Sequence, residues 1–530
     1  MKKIKLFILA LGIIALSSCS ESFLDSEPLT SLTTGNFYET TEDAELAIVG
    51  CYDGLQILYS SGIAFPIISE VLSDNCYGAT GNTDGYGYQV IDEFDISKSP
   101  GDVDLLNENW KVYYRAIYRC NLLLQNMDQI DWQGDTDGRN SIEAQARFIR
   151  AYTYFDMVRL WENVPLLTEP SSENIPQSSP AETYKVITED LLFAAQNGTE
   201  TVEPGRVNKW AAKALLARVY LFYTGYYGTS DLVGLVSQSD VLQGLEDIIS
   251  TGNYSLIEEF KNLWPAASTY INEAGTALET TYAGKDNQET VFAIKYNITS
   301  DYDGNTDGNH WLVMFGLRSQ AFSPYGRGWG ACTVLPKLYN AYEDTDLRKE
   351  ASVIAIEEEG LDFDNSDQRE YTGYSVKKYT PLSNPDGKDL AEANGSGSFM
   401  IGQFQDYVVL RYADVLLMAA ELGSTNAQQY FDTVRSRAGL ENKSVSKDNI
   451  IKERRFEFAF EGIRYWDLLR HGVETAANTI AISDVVYNGG VESTKTINKD
   501  KIIATGGFQM IPQTQVSLSD GVLIQNNGWN

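Results

Sequence analysis

Two groups of residues in this sequence could do chemistry, and they lie in different kinds of segment. The first is a dense run of carboxylates and guanidiniums between Ile451 and His471. It holds Arg454, Arg455 and Glu457, then Glu461, Arg464, Asp467 and Arg470 three apart with alternating sign. Such a run could be acid–base machinery. It could equally be an ion-pair network tying a buried helix to its neighbours, since structural networks also gather charge. The spacing favours the network. Phe456, Ala459, Phe460, Ile463 and Trp466 recur at helical intervals and make one apolar stripe, so a helix here must bury a face. Along that helix each of the four alternating charges reaches the next. Gly462 costs a helix interior about 1 kcal/mol relative to alanine, which predicts that another segment presses against it.

The second group is aromatic. Residues 69–100 combine Asp74, Asn75, Asn82 and Asp84 with several glycines, and Tyr77, Tyr86 and Tyr88 lie among them. Residues 302–329 repeat the pattern with His310, Trp311, Phe315, Tyr325 and Trp329. Glycine, Asn and Asp at this density predict loops. A ring in a loop offers an apolar face to the C–H side of a sugar, and Asp and Asn pair with hydroxyls. The candidate stacking residues are Trp311, Trp329, Tyr86 and Tyr88, followed by Tyr77 and Tyr325. The candidate hydrogen-bonding residues are Asp74, Asn75, Asn82 and Asp84. Each ring has a plain alternative as a plug beneath its loop, because large aromatics are mostly buried.

Other chemistry lacks material. Asp303, Asn305, Asp307 and Gly308 fit the first half of a calcium loop, but its twelfth position is Met314 rather than a bidentate Glu. A hydrated acidic loop is the better reading, and no cofactor is called for. Two histidines, His310 and His471, leave little for a His-based metal site or a catalytic triad. The net charge of −32 argues against nucleic acid and against basic adhesion to anionic lipid. A glycoside hydrolase would need a carboxylate pair across a cleft. With 73 acidic residues such a pair can arise by chance, and no motif marks one.

The elements that position these residues are mostly helices. Thr40 or Thr41 caps a helix to about Tyr59. Asn107–Met127 is helical, Asn140 and Glu143 read as a capping box for the next helix, and Pro165 closes it. Ser179 and Glu182 form a second capping box, and Asn208 opens a further helix. Helices in consecutive pairs up to about residue 225 resemble tetratricopeptide packing. Residues 226–405 are irregular, with a turn and short strand at 286–294, and residues 406–530 return to helix. The expected fold class is therefore mainly α, with helix pairs and a loop-rich, partly β region, and residues 41–530 forming one compact unit.

The start of the chain reads as an export signal. Lys2, Lys3 and Lys5 precede an apolar run from Leu6 to Leu16, and Leu16-Ser17-Ser18 leads into Cys19. This resembles a lipoprotein signal over residues 1–18, with lipid on Cys19 and a tether over 19–40. Whether any of Cys51, Cys76, Cys120 and Cys332 pair is left open by the sequence.

Longer strings carry a more specific resemblance. Glu453-Arg454-Arg455-x-Glu457 followed by Glu461-Gly462-x-Arg464-Tyr465-x-Asp467-Leu468-x-Arg470 resembles the C-terminal signature of the SusD/RagB family. So do Ala144-x-Ala146-Arg147-Phe148-x-Arg150-Ala151, Trp161-x-x-Val164-Pro165-Leu166, and Arg411 through Met418 with Glu421. Gln515 and Asn527 depart from the family's usual Glu and Pro. The resemblance covers nearly the whole mature chain. It implies a SusD-like helical scaffold and a cell-surface lipoprotein of the outer membrane, facing outward. It also implies binding of a glycan nutrient for a SusC-like TonB-dependent transporter, with contacts from the two loop regions. A peptide-binding RagB-type member is the alternative within the family.

Overall fold

The computed structural model describes residues 37–301 and 307–529. The expectations for residues 1–18, for Cys19, and for Asp303 and Asn305 lie outside the described residues.

α1 (Thr41–Ile57) opens with a capping box: the Thr40 hydroxyl accepts from the Asp43 amide, and the Asp43 carboxylate accepts from the Thr40 amide. α2 (Phe65–Val71), β1 (Cys76–Gly78) and α3 (Gly87–Glu93) follow. The stretch 69–100 is thus more ordered than its glycine content predicts. Val90, Ile91 and Phe94 give it an inward face that the turn residues mask in sequence.

α4 (Asn107–Asn126), α5 (Thr136–Trp161), α6 (Pro180–Asn197), α7 (Lys209–Tyr227) and α8 (Gln238–Ser250) pack in series, each against the next. This is the expected tetratricopeptide-like arrangement. Small residues set the spacing: a Cβ on Gly54 of α1 would lie 3.3 Å from the Ala116 Cα of α4. The start of α5 corrects the sequence reading. Asp135 caps it by accepting from the Gly138 amide at 2.9 Å, and Glu143 instead pairs with Arg147 at 2.7 Å.

Beyond α8 come β2 (Thr290–Ile294), β3 (Cys332–Val334), β4 (Val353–Ala355), β5 (Tyr374–Val376) and β6 (Tyr407–Arg411). β1, β3, β5 and β4 form an antiparallel sheet in that order, and β6 pairs with β2. α9 (Tyr412–Glu421), α10 (Ala427–Arg437), α11 (Lys447–Glu457) and α12 (Arg464–Leu469) complete the helical frame. A hairpin of β7 (Ile482–Asn488) and β8 (Val491–Ile497) follows.

The run from Ile451 to His471 is therefore two helices, not one. Phe460 (φ 68°) and Gly462 (φ 73°) turn the chain through left-handed backbone between them. The expected close approach at Gly462 is present: a Cβ there would sit 3.0 Å from the Tyr407 hydroxyl and 3.4 Å from the Pro66 Cα. The Gly462 amide, freed from helical pairing, donates to Glu70 Oε1 at 2.7 Å.

One apolar core runs from Tyr38 to Trp529, with a smaller cluster around Leu317, Tyr325, Ile354 and Ile356. Cys51, Cys76, Cys120 and Cys332 are buried free thiols. Among the described residues no helix is long and apolar enough to cross a membrane.

Candidate functional site

Glu453, Arg454 and Glu457 of α11 and Arg464 and Asp467 of α12 face inward. Arg411, at the end of β6, reaches Glu289 at 2.7 Å, Glu457 at 2.5 Å and Glu461 at 2.8 Å. Arg437 pairs with Glu457 as well, and with Glu289 at 2.9 Å. Arg348, fully buried, holds Asp346 at 2.8 Å, Glu453 at 2.6 Å and Glu457 at 3.1 Å. Lys378 donates to Glu461 at 2.8 Å. Of the expected charge ladder only Asp467–Arg470 survives, at 2.8 Å. The break at Gly462 redirects Glu461 to Arg411 and Lys378, and Arg464 to Asp74 at 2.7 Å.

The titration behaviour follows from this closure. Burial pushes the Glu457 carboxyl up, but Arg437, Arg411 and Arg348 together override it and hold it well below the usual carboxylate range. Glu70 has no cation of its own, and burial pushes it up to about 8. Burial brings Lys378 down to about 8 against the pull of Glu461. Around Glu289, Glu457 and Glu461 this ion network is closed off from solvent, whereas its outer members Asp74, Glu453 and Arg464 border a pocket.

The aromatic loops behave differently, and the sheet explains how they meet. β1 pairs antiparallel with β3, Gly78 facing Cys332. The chain leaving β1 and the chain entering β3 therefore emerge at the same edge, although they are far apart in sequence. Past the strands the Ala79 amide donates to the Ala331 carbonyl at 2.8 Å. Gln368, buried beside them, donates to the carbonyls of Thr80 and Gly330 at 3.2 and 3.0 Å and ties the two loops together. Gly81 leaves room for the Arg318 guanidinium at this junction, since a Cβ would fall 1.9 Å from Arg318 Nη2 and displace it.

Arginines brace what these loops present. Arg369 donates to the carbonyls of Asn82, Asp84 and Gly85 at 3.1, 2.7 and 2.8 Å, and its guanidinium lies 4.0 Å from the Tyr86 ring centroid. Arg318 pairs with Asp84 at 3.0 Å and Asp367 at 2.9 Å, and lies 5.2 Å from the Trp329 ring. Trp329 in turn meets Phe399 at 5.9 Å, and Arg327 covers that ring at 4.0 Å while pairing with Asp389 at 2.7 Å. The result is a surface platform of Tyr86, Trp329 and Phe399, each ring braced by a guanidinium. Tyr86 is 48% exposed; Trp329 and Phe399 are half-buried.

Four of the sequence candidates thus come together: Asn82, Asp84, Tyr86 and Trp329. The others do not. Trp311 is 0% exposed and packs edge-on against Phe315, Tyr379 and Tyr407, so it is a core residue. Asp74 and Asn75 are buried on Arg464 and Arg455, with Arg455 Nε donating to the Asn75 side-chain oxygen at 3.0 Å. Tyr77 is buried in β1, and Tyr88 plugs the space under its loop, its hydroxyl on the Gly62 carbonyl at 3.1 Å. Tyr325 belongs to the smaller apolar cluster, with its hydroxyl on Glu359 at 2.7 Å. Asp307, the described member of the calcium half-motif, lies 3.3 Å from the Thr299 hydroxyl.

The comparisons with known proteins agree with this architecture. A model described as "SusD family" matches residues 362–529, and one described as "Starch-binding associating with outer membrane" matches residues 70–221. The chain belongs to the SusD/RagB family. A SusD-like protein of Bacteroides ovatus is 27% identical over 504 residues, covering 88% of this chain and 82% of that one. A solved laminarin-binding SusD-like protein superposes with a TM-score of 0.71 at 26% identity, over 92% of this chain and 99% of the other. Surface glycan-binding protein A from Bacteroides thetaiotaomicron, solved with laminarihexaose, gives 0.71 at 24% identity over 92% and 100%.

In this SusD-like chain the sequence reading misses the parts of the platform that are not loop aromatics near Asn or Asp. Arg318, Arg327, Gln368 and Arg369 carry no motif. Phe399 did carry a signal: it stands in the small-residue run Gly395-Ser396-Gly397-Ser398, where a large apolar residue has little to bury against.

Proposed function

We propose that this protein is a cell-surface glycan-binding lipoprotein that passes oligosaccharide or polysaccharide to a SusC-like TonB-dependent outer-membrane transporter. The observation that carries the reading is the platform of Tyr86, Trp329 and Phe399, rings fixed by guanidiniums with part of their surface left to solvent. A pre-fixed ring loses little entropy when a sugar stacks on it. Asn82, Asp84 and Asp367 lie beside the rings and supply polar partners for hydroxyls. The laminarin named for one relative makes a β-glucan the first polysaccharide to try.

The protein binds rather than cleaves. Glu70 and Asp156, whose carboxyls burial holds above their ordinary range, are sealed in the core, and Asp389, raised in the same way, is held by Arg327 at 2.7 Å. The exposed carboxylates of the platform, Asp84 and Asp367, share Arg318 as ion partner. Lipid on Cys19 anchors the chain to the outer leaflet.

Affinity electrophoresis against a polysaccharide panel that includes laminarin tests the binding. Retardation by at least one polysaccharide, without release of shorter products on incubation, is expected. Reproducible cleavage by the pure protein would overturn the binding-only reading. Membrane fractionation of Cys19→Ala tests the anchor: the variant should lose its membrane association, and wild-type fractionation would contradict lipidation there.

A further inference from the structure

We propose that the pocket of about 590 Å³ between α11, α12 and the segment after β3 is a second binding site, which takes the carboxylate or sulfate group of an acidic saccharide. This extends the glycan reading to a separate place, since the pocket shares no lining residue with the platform.

Charge is the first observation. The whole chain carries −32, yet six lysines and arginines line this pocket against four carboxylates, Asp74, Glu343, Asp448 and Glu453. Asp74 sits between two guanidiniums, Arg464 at 2.7 Å and Arg455 at 3.0 Å, so one carboxylate answers two positive charges. Burial, together with the like charge of Arg464, outweighs Asp74 and pulls the Arg455 guanidinium below its ordinary value. Around this pair Lys337, Lys443 and Lys452 are exposed, and none has a carboxylate within 4.0 Å among the described residues. Lys337 makes only a long contact to the Thr479 carbonyl, at 3.4 Å. Arg435 is the exception, satisfied by Glu453 at 2.8 Å.

The lining points to a sugar rather than a bare inorganic anion. His471 lines the pocket with its Nε2 buried and without a partner. Burial and the neighbouring Arg470 bring its pKa down to about 4, so the ring is neutral at ordinary pH and offers a hydrogen bond without charge. Thr475 adds a hydroxyl. Phe456, its ring 4.7 Å from that of Tyr342, and Leu468 give an apolar wall suited to the C–H face of a pyranose. The volume lies in the range that houses a small organic ligand, far more than a phosphate fills.

Calorimetry at low salt with tetragalacturonate, a sulfated tetrasaccharide, and carboxyl-reduced tetragalacturonate as neutral control tests the inference. The wild type should bind one or both anionic probes, with affinity falling as salt rises, and should ignore the reduced control. Binding of only one probe identifies the anion as carboxylate or sulfate. Reversing two of the three free lysines in Lys337→Glu/Lys452→Glu should weaken binding roughly tenfold or more. Because both side chains are exposed and unpaired, the melting temperature should hold; Lys337→Ala/Lys452→Ala is the milder pair should it not. Trp329→Ala should leave this binding unchanged, which separates the site from the platform. The inference is overturned if neither anion binds, if the reduced control binds equally, or if both lysine pairs bind as wild type does.

Discussion

The ion network around Glu457 and the platform around Trp329 are made of the same parts: arginines, carboxylates and aromatic rings. They differ in what closes them. In the network each guanidinium finds carboxylates on other elements, so that Arg411 alone joins β6 to Glu289, Glu457 and Glu461. What is left over, such as Arg437 Nε, is buried away from solvent. In the platform Arg318, Arg327 and Arg369 spend their hydrogen bonds on loop carbonyls and nearby carboxylates, and their flat faces on rings. The rings keep a side toward solvent. Arginine density alone therefore says little about function; the free face of the residue it braces says more.

The comparison can be broken most severely from the inside. Arg411→Ala or Glu457→Ala leaves several buried charges without a partner, which costs about 3–5 kcal/mol. Lost soluble expression or a strongly lowered melting temperature is expected, and a stable variant would contradict the sealed-network description. Trp311→Ala should also be costly, about 3–5 kcal/mol, because it empties a fully buried site. Thermal unfolding reads both.

Glu70 sharpens the contrast through pH. Its carboxyl is raised from 4.5 to about 8 in the folded protein, so the folded state holds this proton more tightly than the unfolded chain. The stability it contributes is complete below about pH 4.5 and is lost as pH rises toward 8. Glu70→Gln keeps an acceptor for the Gly462 amide and removes the titration. Urea midpoints measured across this range should fall with pH for the wild type relative to the variant, by an amount on the order of a few kcal/mol. Parallel curves would show that Glu70 titrates normally.

On the platform the effects should be smaller and of another kind. Trp329→Ala or Tyr86→Ala should weaken glycan binding by about 1 kcal/mol or more with the melting temperature nearly unchanged. Arg318→Ala removes only a brace, through partly exposed ion pairs worth up to about 1 kcal/mol, and a loss of a few-fold in affinity is expected. A larger loss than for Trp329→Ala would make Arg318 a direct ligand contact.

The helix pairs were legible because caps and apolar periodicity are local signals: Ser179 with Glu182, and Asn208, open helices as read. Asn140 with Glu143 was misread because Asp135 caps earlier. The break at Gly462 was legible as a pressed glycine but not as a turn, since its left-handed neighbour Phe460 looks helical in sequence. The loop aromatics divided by burial, which composition does not encode. Trp311 and Trp329 have similar surroundings in sequence, yet one fills the core and the other reaches the surface. That two distant loops meet was an expectation from family resemblance, and its physical cause, the β1–β3 pairing, lies in three-residue strands too short to read.

The measurement that bears most directly on the platform is calorimetric titration of the wild type and of Tyr86→Ala/Trp329→Ala with a polysaccharide that retards the wild type in electrophoresis. The double variant should lose affinity tenfold or more, about 1.4 kcal/mol, while its thermal unfolding superposes on that of the wild type. Binding by the double variant with wild-type affinity would place the glycan site elsewhere on the molecule.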